Sequence, residues 1–502
     1  MTETAPPPAE TRRRLGGTYW LLNSIEMFER LAYFTLRVMA PIYIMQVGAK
    51  NPGGLHLTAQ HKGRIYAWWA IFQSFLPIAT GGFADRYGYK RVLGLAIATN
   101  TAGYLIMAFA HSYVGFFAGV LVLATGSAFF KPSLQGALAH AMGPGSTSLG
   151  WGIFYWVVNV GSLVAHYIAG PLVGDKSAAG WQRLLLGGAA ASATNLLLLL
   201  VLKDVPSGAP SQETALQVLK RTLVNVWDAR LIAWLLIMSC FWLMMYQLWD
   251  LQPNFIEDWV DSSMIARHLP AGLGLTEAGE GGALRVPQQV LISLNSILIV
   301  LLVVPISWLA RRMRTLSAML IGMLVATVGV LVAGFTPNGW LLLFGIGFFS
   351  LGEMLTGPKK QEYLGIIAPP GKKGMYLGYV NIPVGIGLAV GSVLQGRIYG
   401  TYGEKATLAL RYLTEKTTAG AAPPWDGTVA SLEAATGVKR PEAFARLRET
   451  TKLDHQGATR LLWETYRPHV RVWTPFAVIG AVAAIALFVF GRLARRWKDM
   501  NA

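Results

Sequence analysis

One cysteine, Cys240, stands among 502 residues. It lies in an apolar run, so the chain has no internal disulfide and no thiolate metal cluster. The eight histidines fall at no ligand spacing. Neither H-E-x-x-H, nor paired aspartates, nor a serine with a base at suitable spacing occurs, so neither an enzyme nor a bound cofactor is expected. Charge is scarce too: 14% of residues are charged against 53% hydrophobic, too apolar for an ordinary soluble domain. Acids are the scarcer sign, 26 against 43 basic residues, for a net charge of +17. That surplus forms no basic face interleaved with exposed aromatics, which argues against nucleic acid as a partner. The first 18 residues lack the short apolar region and small-residue cleavage site of a secretory signal. With Pro6 to Pro8 and Arg12 to Arg14, residues 1–18 read as a disordered tail.

What the chain has in abundance is long apolar runs. Twelve stretches approach the roughly 18 to 25 residues that span a bilayer, six within 19–202 and six from 230 onward. The pattern predicts an all-α membrane protein of 12 transmembrane helices in two six-helix bundles. Residues 203–229 read as a linker, with an amphipathic helix from Glu213 to Trp227. The second bundle takes spans seven to eleven in 230–400, then an insertion at 401–470, then span twelve and a basic tail in 471–502. Helical pieces are expected near 404–416 and 440–466, and a smaller excursion covers 253–286. Basic residues crowd alternate loops: Arg86, Lys90 and Arg91, then Lys203, Lys220 and Arg221, then Arg311, Arg312 and Arg314, then Lys359, Lys360, Lys372 and Lys373, then Arg492 to Lys498. By the positive-inside rule both termini are cytoplasmic and the insertion faces outward, most simply in a bacterial inner membrane.

The first run carries Glu26, Glu29, Arg30, Tyr33 and Arg37. At 100° per residue they share an arc of about 100°, roughly a third of a helix circumference. Each charge near the middle of a bilayer costs about 2.5 to 3.5 kcal/mol on the insertion scale, so four of them require a polar interior. A substrate or proton path is the default reading, with structural ion pairing between spans as the plainer alternative.

Local motifs narrow this. Gly81 to Arg91, G-G-F-A-D-R-Y-G-Y-K-R, resembles the loop signature G-x-x-x-D-R-x-G-x-K-R of the major facilitator superfamily, which places Gly81, Asp85, Arg86, Lys90 and Arg91 in a gating loop. Glu26 to Arg37 resembles the E-x-x-E-R-x-x-Y pattern of the proton-dependent oligopeptide transporters within that superfamily. Gly126 to Pro132 is similar to their G-x-G-x-x-K-P, Phe154 to Gly161 to F-Y-x-x-I-N-x-G, and further matches run in family order through L-G-E-M-L-T-G-P to Tyr379. The resemblance implies a proton-coupled symporter of short peptides that works by alternating access and functions as a monomer among membrane lipids. A zwitterionic peptide needs a cation for its carboxylate, supplied by Arg37 and Lys131, and acceptors for its ammonium, supplied by Glu353 with Asn159 and Asn295. Tyr33 hydrogen-bonds the peptide, while Trp242, Phe154 and Tyr379 offer apolar surface. Protons are the coupling ion, carried by Glu26, Glu29, Arg30, Lys131 and Glu353, with a Lys131–Glu353 bridge that substrate displaces. Packing alone is an open alternative for Asn159, Trp242 and Tyr379.

The pattern also departs from that family. Tyr246 occupies the place of the seventh-span acid, with Asp250 one turn on as a substitute, and Ser74 occupies the place of the second-span tyrosine. Altered cargo, such as another amphoteric or anionic molecule or a peptide-like drug, is therefore a standing alternative, as is a transport-inactive sensor or scaffold built on the insertion.

Overall fold

Short polar residues before the apolar runs start several of the long helices. The Thr58 hydroxyl accepts from the His61 amide, Ser112 from Gly115, Ser177 from Gly180, Asp228 from Arg230 and Leu231, and Asn338 from Trp340 and Leu341. Each satisfies amides that would otherwise lack partners at a helix start. The computed structural model describes residues 15–48, 51–142, 147–203, 227–270, 274–279, 282–368, 376, 379–417 and 425–496.

The first half comprises α1 (Gly17–Met45), α2 (Ala59–Tyr87), α3 (Tyr89–Phe109), α4 (Tyr113–Ala141), α5 (Thr147–Val173) and α6 (Ala178–Val201). The second begins with α7 (Ala229–Met245), continued by α8 (Gln247–Asp250) and α9 (Gln252–Trp259) with a break at each junction. After α10 (Ser263–Ala266) and a two-stranded hairpin of β1 (Glu277–Ala278) and β2 (Leu284–Arg285) come α11 (Gln288–Ala310), α12 (Thr315–Gly334), α13 (Gly339–Ile367) and α14 (Asn381–Tyr402). The insertion holds α15 (Lys405–Thr417), α16 (Val429–Thr436), a 3-10 turn at Arg440–Glu442, α17 (Ala443–Thr451) and α18 (His455–Tyr466); α19 (Pro468–Ala494) closes the half. α15 covers the piece read near 404–416, and α17 with α18 the piece near 440–466. α16 was not expected. Among the described residues ten helical stretches are long and apolar enough to cross a membrane. α1 and α2, 29 residues each, are long enough but more polar, and they complete the twelve. The expected linker helix lies outside the described residues.

A polar layer divides the core of the first half. One apolar cluster runs from Ala32 to Ile44 on α1 and includes Tyr104, Leu123 and Trp181. A second includes Tyr19 to Ile25, Leu93, Phe130 and Leu134. Between them lie Glu26, Glu29 and Arg30 of α1, Asn100 of α3, Ser127 of α4, and Ser192 and Asn195 of α6, all buried. The charged stripe of α1 thus belongs to a belt at mid-depth, to which α3, α4 and α6 also contribute polar groups.

The two halves meet along α2–α14 and α5–α11. Glycine makes the first seam close. A Cβ on Gly63 would lie 2.5 Å from the Ser392 carbonyl oxygen, and one on Gly396 2.7 Å from that of Ala59. Ser74 itself would stand 2.6 Å from a Cβ on Gly385, so the small residue at that position accompanies a close helix approach. Hydrogen bonds between the halves gather at mid-depth and at the end where the insertion sits, called here the capped end; Arg311, Arg312, Arg314 and Arg492 mark the opposite, basic end. From the insertion, Arg440 donates to the carbonyls of His56 (2.8 Å), Leu57 (3.1 Å) and Met45 (3.3 Å), and pairs with Glu404 at 3.2 Å.

Gly63→Val should therefore force the α2–α14 seam apart at a cost of about 1 to 3 kcal/mol. Gly400→Ala, whose added carbon would sit 3.4 Å from its nearest neighbour, should be tolerated. Thermal unfolding of the two purified variants in the same detergent checks this: the first loses several degrees and the second none.

Candidate functional site

α1 turns its stripe into the bundle because its other faces pack in the apolar clusters. Arg30 is the hub. Its Nε donates to Glu29 at 2.6 Å and lies 3.2 Å from Glu26, and its guanidinium sits 5.0 Å from the centre of the Tyr33 ring. The Tyr33 hydroxyl donates to Gln73 on α2 at 3.3 Å. Lys131 of α4, half-buried, shares the electrostatic surroundings of Glu26, Glu29 and Arg30. Two acids and two bases from α1 and α4 thus share one site in the first half.

The second half carries its own set on α11 and α13. Asn295 donates to Glu353 at 2.9 Å and to the Ser350 hydroxyl at 3.0 Å. Lys360 of α13 lies 4.0 Å from the centre of the Trp242 ring and is the cation that acts on Glu353. Such a cation–π contact contributes about 0.5 to 2 kcal/mol, more as water is excluded. On α5, Tyr155 feels the charge of Glu353 and is 41% exposed, and Asn159 donates back to the Tyr155 carbonyl at 2.9 Å.

Two expectations are corrected by this arrangement. The Lys131–Glu353 bridge does not form: Lys131 keeps company with the α1 acids, and Glu353 has Asn295 and Lys360. The groups that act on each of them lie within its own half. Lys359 and Lys360, read as loop residues at the basic end, stand on α13 instead, which runs on to Ile367 despite Pro358. Lys359 pairs with Glu362 at 2.9 Å. Lys360 is a candidate site residue that the sequence reading placed only among the basic residues of the loops. Its spacing of seven residues from Glu353 puts the two on one face of a helix, which was the available signal.

Arg37 is committed elsewhere. It forms a buried ion pair with Asp250 of α8, and its guanidinium lies 4.2 Å from the Tyr66 ring and 5.1 Å from that of Trp69. Asp250 also accepts from the Ser392 hydroxyl at 3.1 Å. Beside it the fully buried Lys62 donates to the Asp250 carbonyl at 2.7 Å and to Asn254 at 2.6 Å. The interruption of the helix between α8 and α9 places the Asp250 carbonyl within reach of such a donor. Asn254 donates to the Pro41 carbonyl, and Gln46 donates to Asp258 at 2.8 Å. This network seals the two halves together at the capped end. Asp250 thereby takes a position facing Arg37 that Tyr246, one turn earlier, cannot fill with charge.

The remaining expected residues are placed as follows. Trp242 and Tyr379 are buried, Tyr379 against Tyr376, whereas Phe154 is half-buried beside Trp151. The Gly81–Arg91 motif is not a loop: α2 runs through Gly81 and Asp85 to Tyr87, α3 starts at Tyr89, and Gly88 alone turns the chain at φ +91°. Only glycine takes that conformation without strain. The side chain of Asp85 lies outside the described residues. Arg86 packs on Tyr87, and Lys90 donates to the Leu202 carbonyl after α6 at 2.7 Å, as a basic residue at a helix C-terminus does. Arg91 is exposed.

Asp250→Asn would leave Arg37 buried without a counter-charge, a loss of about 3 to 5 kcal/mol. The seal should then open. In a Cys240→Ser background carrying Ser392→Cys, maleimide labelling from the capped face should rise at least several-fold on adding Asp250→Asn, and an unchanged rate would show that the pair does not hold this end shut.

The Major Facilitator Superfamily model matches residues 23–279. Among curated relatives, multidrug resistance protein MdtH of Yersinia enterocolitica is 20% identical over 345 residues, which is 66% of this chain and 76% of that protein. Dipeptide and tripeptide permease A of Pectobacterium carotovorum is 26% identical over 149 residues, and that match spans only 29% of this chain and 28% of the permease. A crystal structure of a POT family transporter with 5-aminolevulinic acid superposes with a TM-score of 0.65 at 14% identity, covering 96% of each chain. The model match spans half of the sequence, and the twelve long helices follow the same two-bundle plan. The chain is a multi-pass integral membrane transporter that belongs to the major facilitator superfamily, as a divergent member similar to the peptide transporters.

Proposed function

We propose that this protein is a proton-coupled symporter that imports short peptides by alternating access. One observation carries the reading: each half presents both signs of charge at mid-depth, Arg30, Lys131, Glu26 and Glu29 on one side and Lys360 and Glu353 with Asn295 on the other. A guest with one positive and one negative end can bridge the halves, whereas a guest of one sign leaves half of the site unmatched. The peptide carboxylate goes to Lys131 and the ammonium to Glu353 and Asn295. The basic end is cytoplasmic by the positive-inside rule, so the form described here is shut toward the outside. Matches to di- and tripeptide permeases in sequence and to peptide transporters in fold support this reading.

Coupling follows from competition for the same charges. A peptide carboxylate on Lys131 withdraws that cation from Glu26 and Glu29, and a desolvated carboxylate that loses its counter-charge takes up a proton. The ammonium does the equivalent at Glu353, displacing Lys360. Neutralised halves then part more readily at the seal, where Arg37–Asp250 is one of the charged contacts that must reopen.

Uptake of labelled dialanine and trialanine into liposomes, driven by an inward proton gradient alone, tests this. Accumulation should occur in the parent, and Lys131→Ala should reduce it by at least about tenfold, the loss of one strong charge-assisted hydrogen bond. Glu353→Gln should abolish accumulation yet retain exchange of internal for external peptide. Gradient-driven accumulation that survives Glu353→Gln rejects the coupling scheme, and a parent that takes up neither peptide, but whose label efflux responds to drug-like cations, rejects the peptide reading.

A further inference from the structure

Beyond the seal, at the capped end, lies a partly open cavity of about 400 Å³. Separate parts of the sequence wall it: the α1 end through Gln46, the α5–α6 turn through Lys176, the α9–β2 segment through Glu257 and Arg285, and α18 of the insertion. Gln46 and its partner Asp258 belong both to this lining and to the seal, so the cavity lies directly over the closed entrance.

Most charges on its walls are already matched. Arg285 binds Glu257 at 2.5 Å and Glu277 at 2.6 Å, and Lys176 binds Glu277 at 3.5 Å. α18 carries two charges outside these pairs. Arg460 and Glu464 are exposed and form no ion pair among the described residues, although they stand one helical turn apart. Positions 460, 463 and 464 share one face of the helix. Between the two charges, Trp463 is held firmly, stacked on His469 at 4.3 Å and tilted against Trp259 at 5.8 Å. An unpaired cation and anion flanking a fixed aromatic ring complement a small amphoteric molecule with an apolar side chain. A di- or tripeptide, at about 3.5 Å per residue, has its termini within reach of both charges.

We infer that this cavity is a docking site at which a short zwitterionic peptide is held before the seal opens, its carboxylate on Arg460, its ammonium on Glu464 and a side chain against Trp463. The chemistry of this ligand rests on the transport reading above. The insertion then acts as part of the substrate path: it concentrates the guest over the entrance without taking part in coupling.

The test is dialanine uptake by the full chain in liposomes, together with equilibrium binding of labelled dialanine to the purified protein. Arg460→Ala and Glu464→Ala should each raise the half-saturating concentration about three- to tenfold at an unchanged maximal rate. Arg446→Ala, on an exposed part of the same insertion where it pairs with Glu449, should change neither. Lys131→Ala should retain a binding component that Arg460→Ala then removes. If the parent transports dialanine and half-saturation is unmoved in both α18 variants, the docking site is wrong and the transport reading stands. A fall in maximal rate at constant half-saturation would make α18 a gating element and equally overturn the inference. Should the parent neither bind nor transport dialanine, the transport reading fails and the ligand assigned here fails with it.

Discussion

The buried pair of Arg37 and Asp250 is the contact on which this arrangement of two halves turns. Both side chains are almost wholly withdrawn from solvent, and they come from α1 and α8, on opposite sides of the central seam. Desolvating two charges costs several kcal/mol per ion, and only the partner and additional hydrogen bonds offset it. Here those are the Ser392 hydroxyl on the acid and two aromatic rings on the guanidinium. Lys62 adds a second buried cation, tolerable because the interrupted α8–α9 ladder offers it a carbonyl and Asn254. Arg37 loses Asp250, and Lys62 loses both the Asp250 carbonyl and Asn254, when the halves separate at this end. Such a contact is either made or replaced by water, which suits a device with two discrete states.

The polar belt of the first half gives that device something to act upon. Apolar side chains above and below it keep six helices packed, while the belt itself concentrates Glu26, Glu29 and Arg30 where a bilayer is least polar. Two asparagines of this layer, Asn100 and Asn195, leave both amide atoms without hydrogen-bond partners among the described residues. The layer is therefore adapted to more than maximal stability. Along α2–α14 the reverse holds: glycines bring backbones together so closely that little side-chain interlocking opposes a rocking motion.

The divergence from the peptide transporters is concentrated where the charges meet. Tyr246 is neutral where an acid belongs, and the structure supplies the missing charge from Asp250, a turn nearer the capped end. Ser74, where that family's pattern has a tyrosine, stands where Gly385 of α14 approaches closely. Lys360, held over Trp242, gives Glu353 a cation from its own helix and removes the need for Lys131 to reach across. The similarity to both a drug-resistance protein and peptide permeases is at low identity in each case.

Length, hydropathy and charge placement by themselves determined the helical membrane fold, the division into two bundles and the stripe on α1, because burying charge in lipid is so unfavourable that a span must declare its polar face in its own sequence. Helical periodicity is a local property, so Glu26 to Arg37 could be read together, and the insertion announced itself by its polarity. Which charge meets which was not local. Lys131 and Glu353 were a reasonable pair on chemistry, yet the choice between partners depends on differences of a few ångströms between helices far apart in sequence. The breaks that place Asp250 and its carbonyl within reach of Lys62, and the folding of α18 over the entrance, arise only when the helices pack. Electrostatic partnership falls steeply with distance in a medium of low polarity, and those distances were decided by the tertiary structure alone.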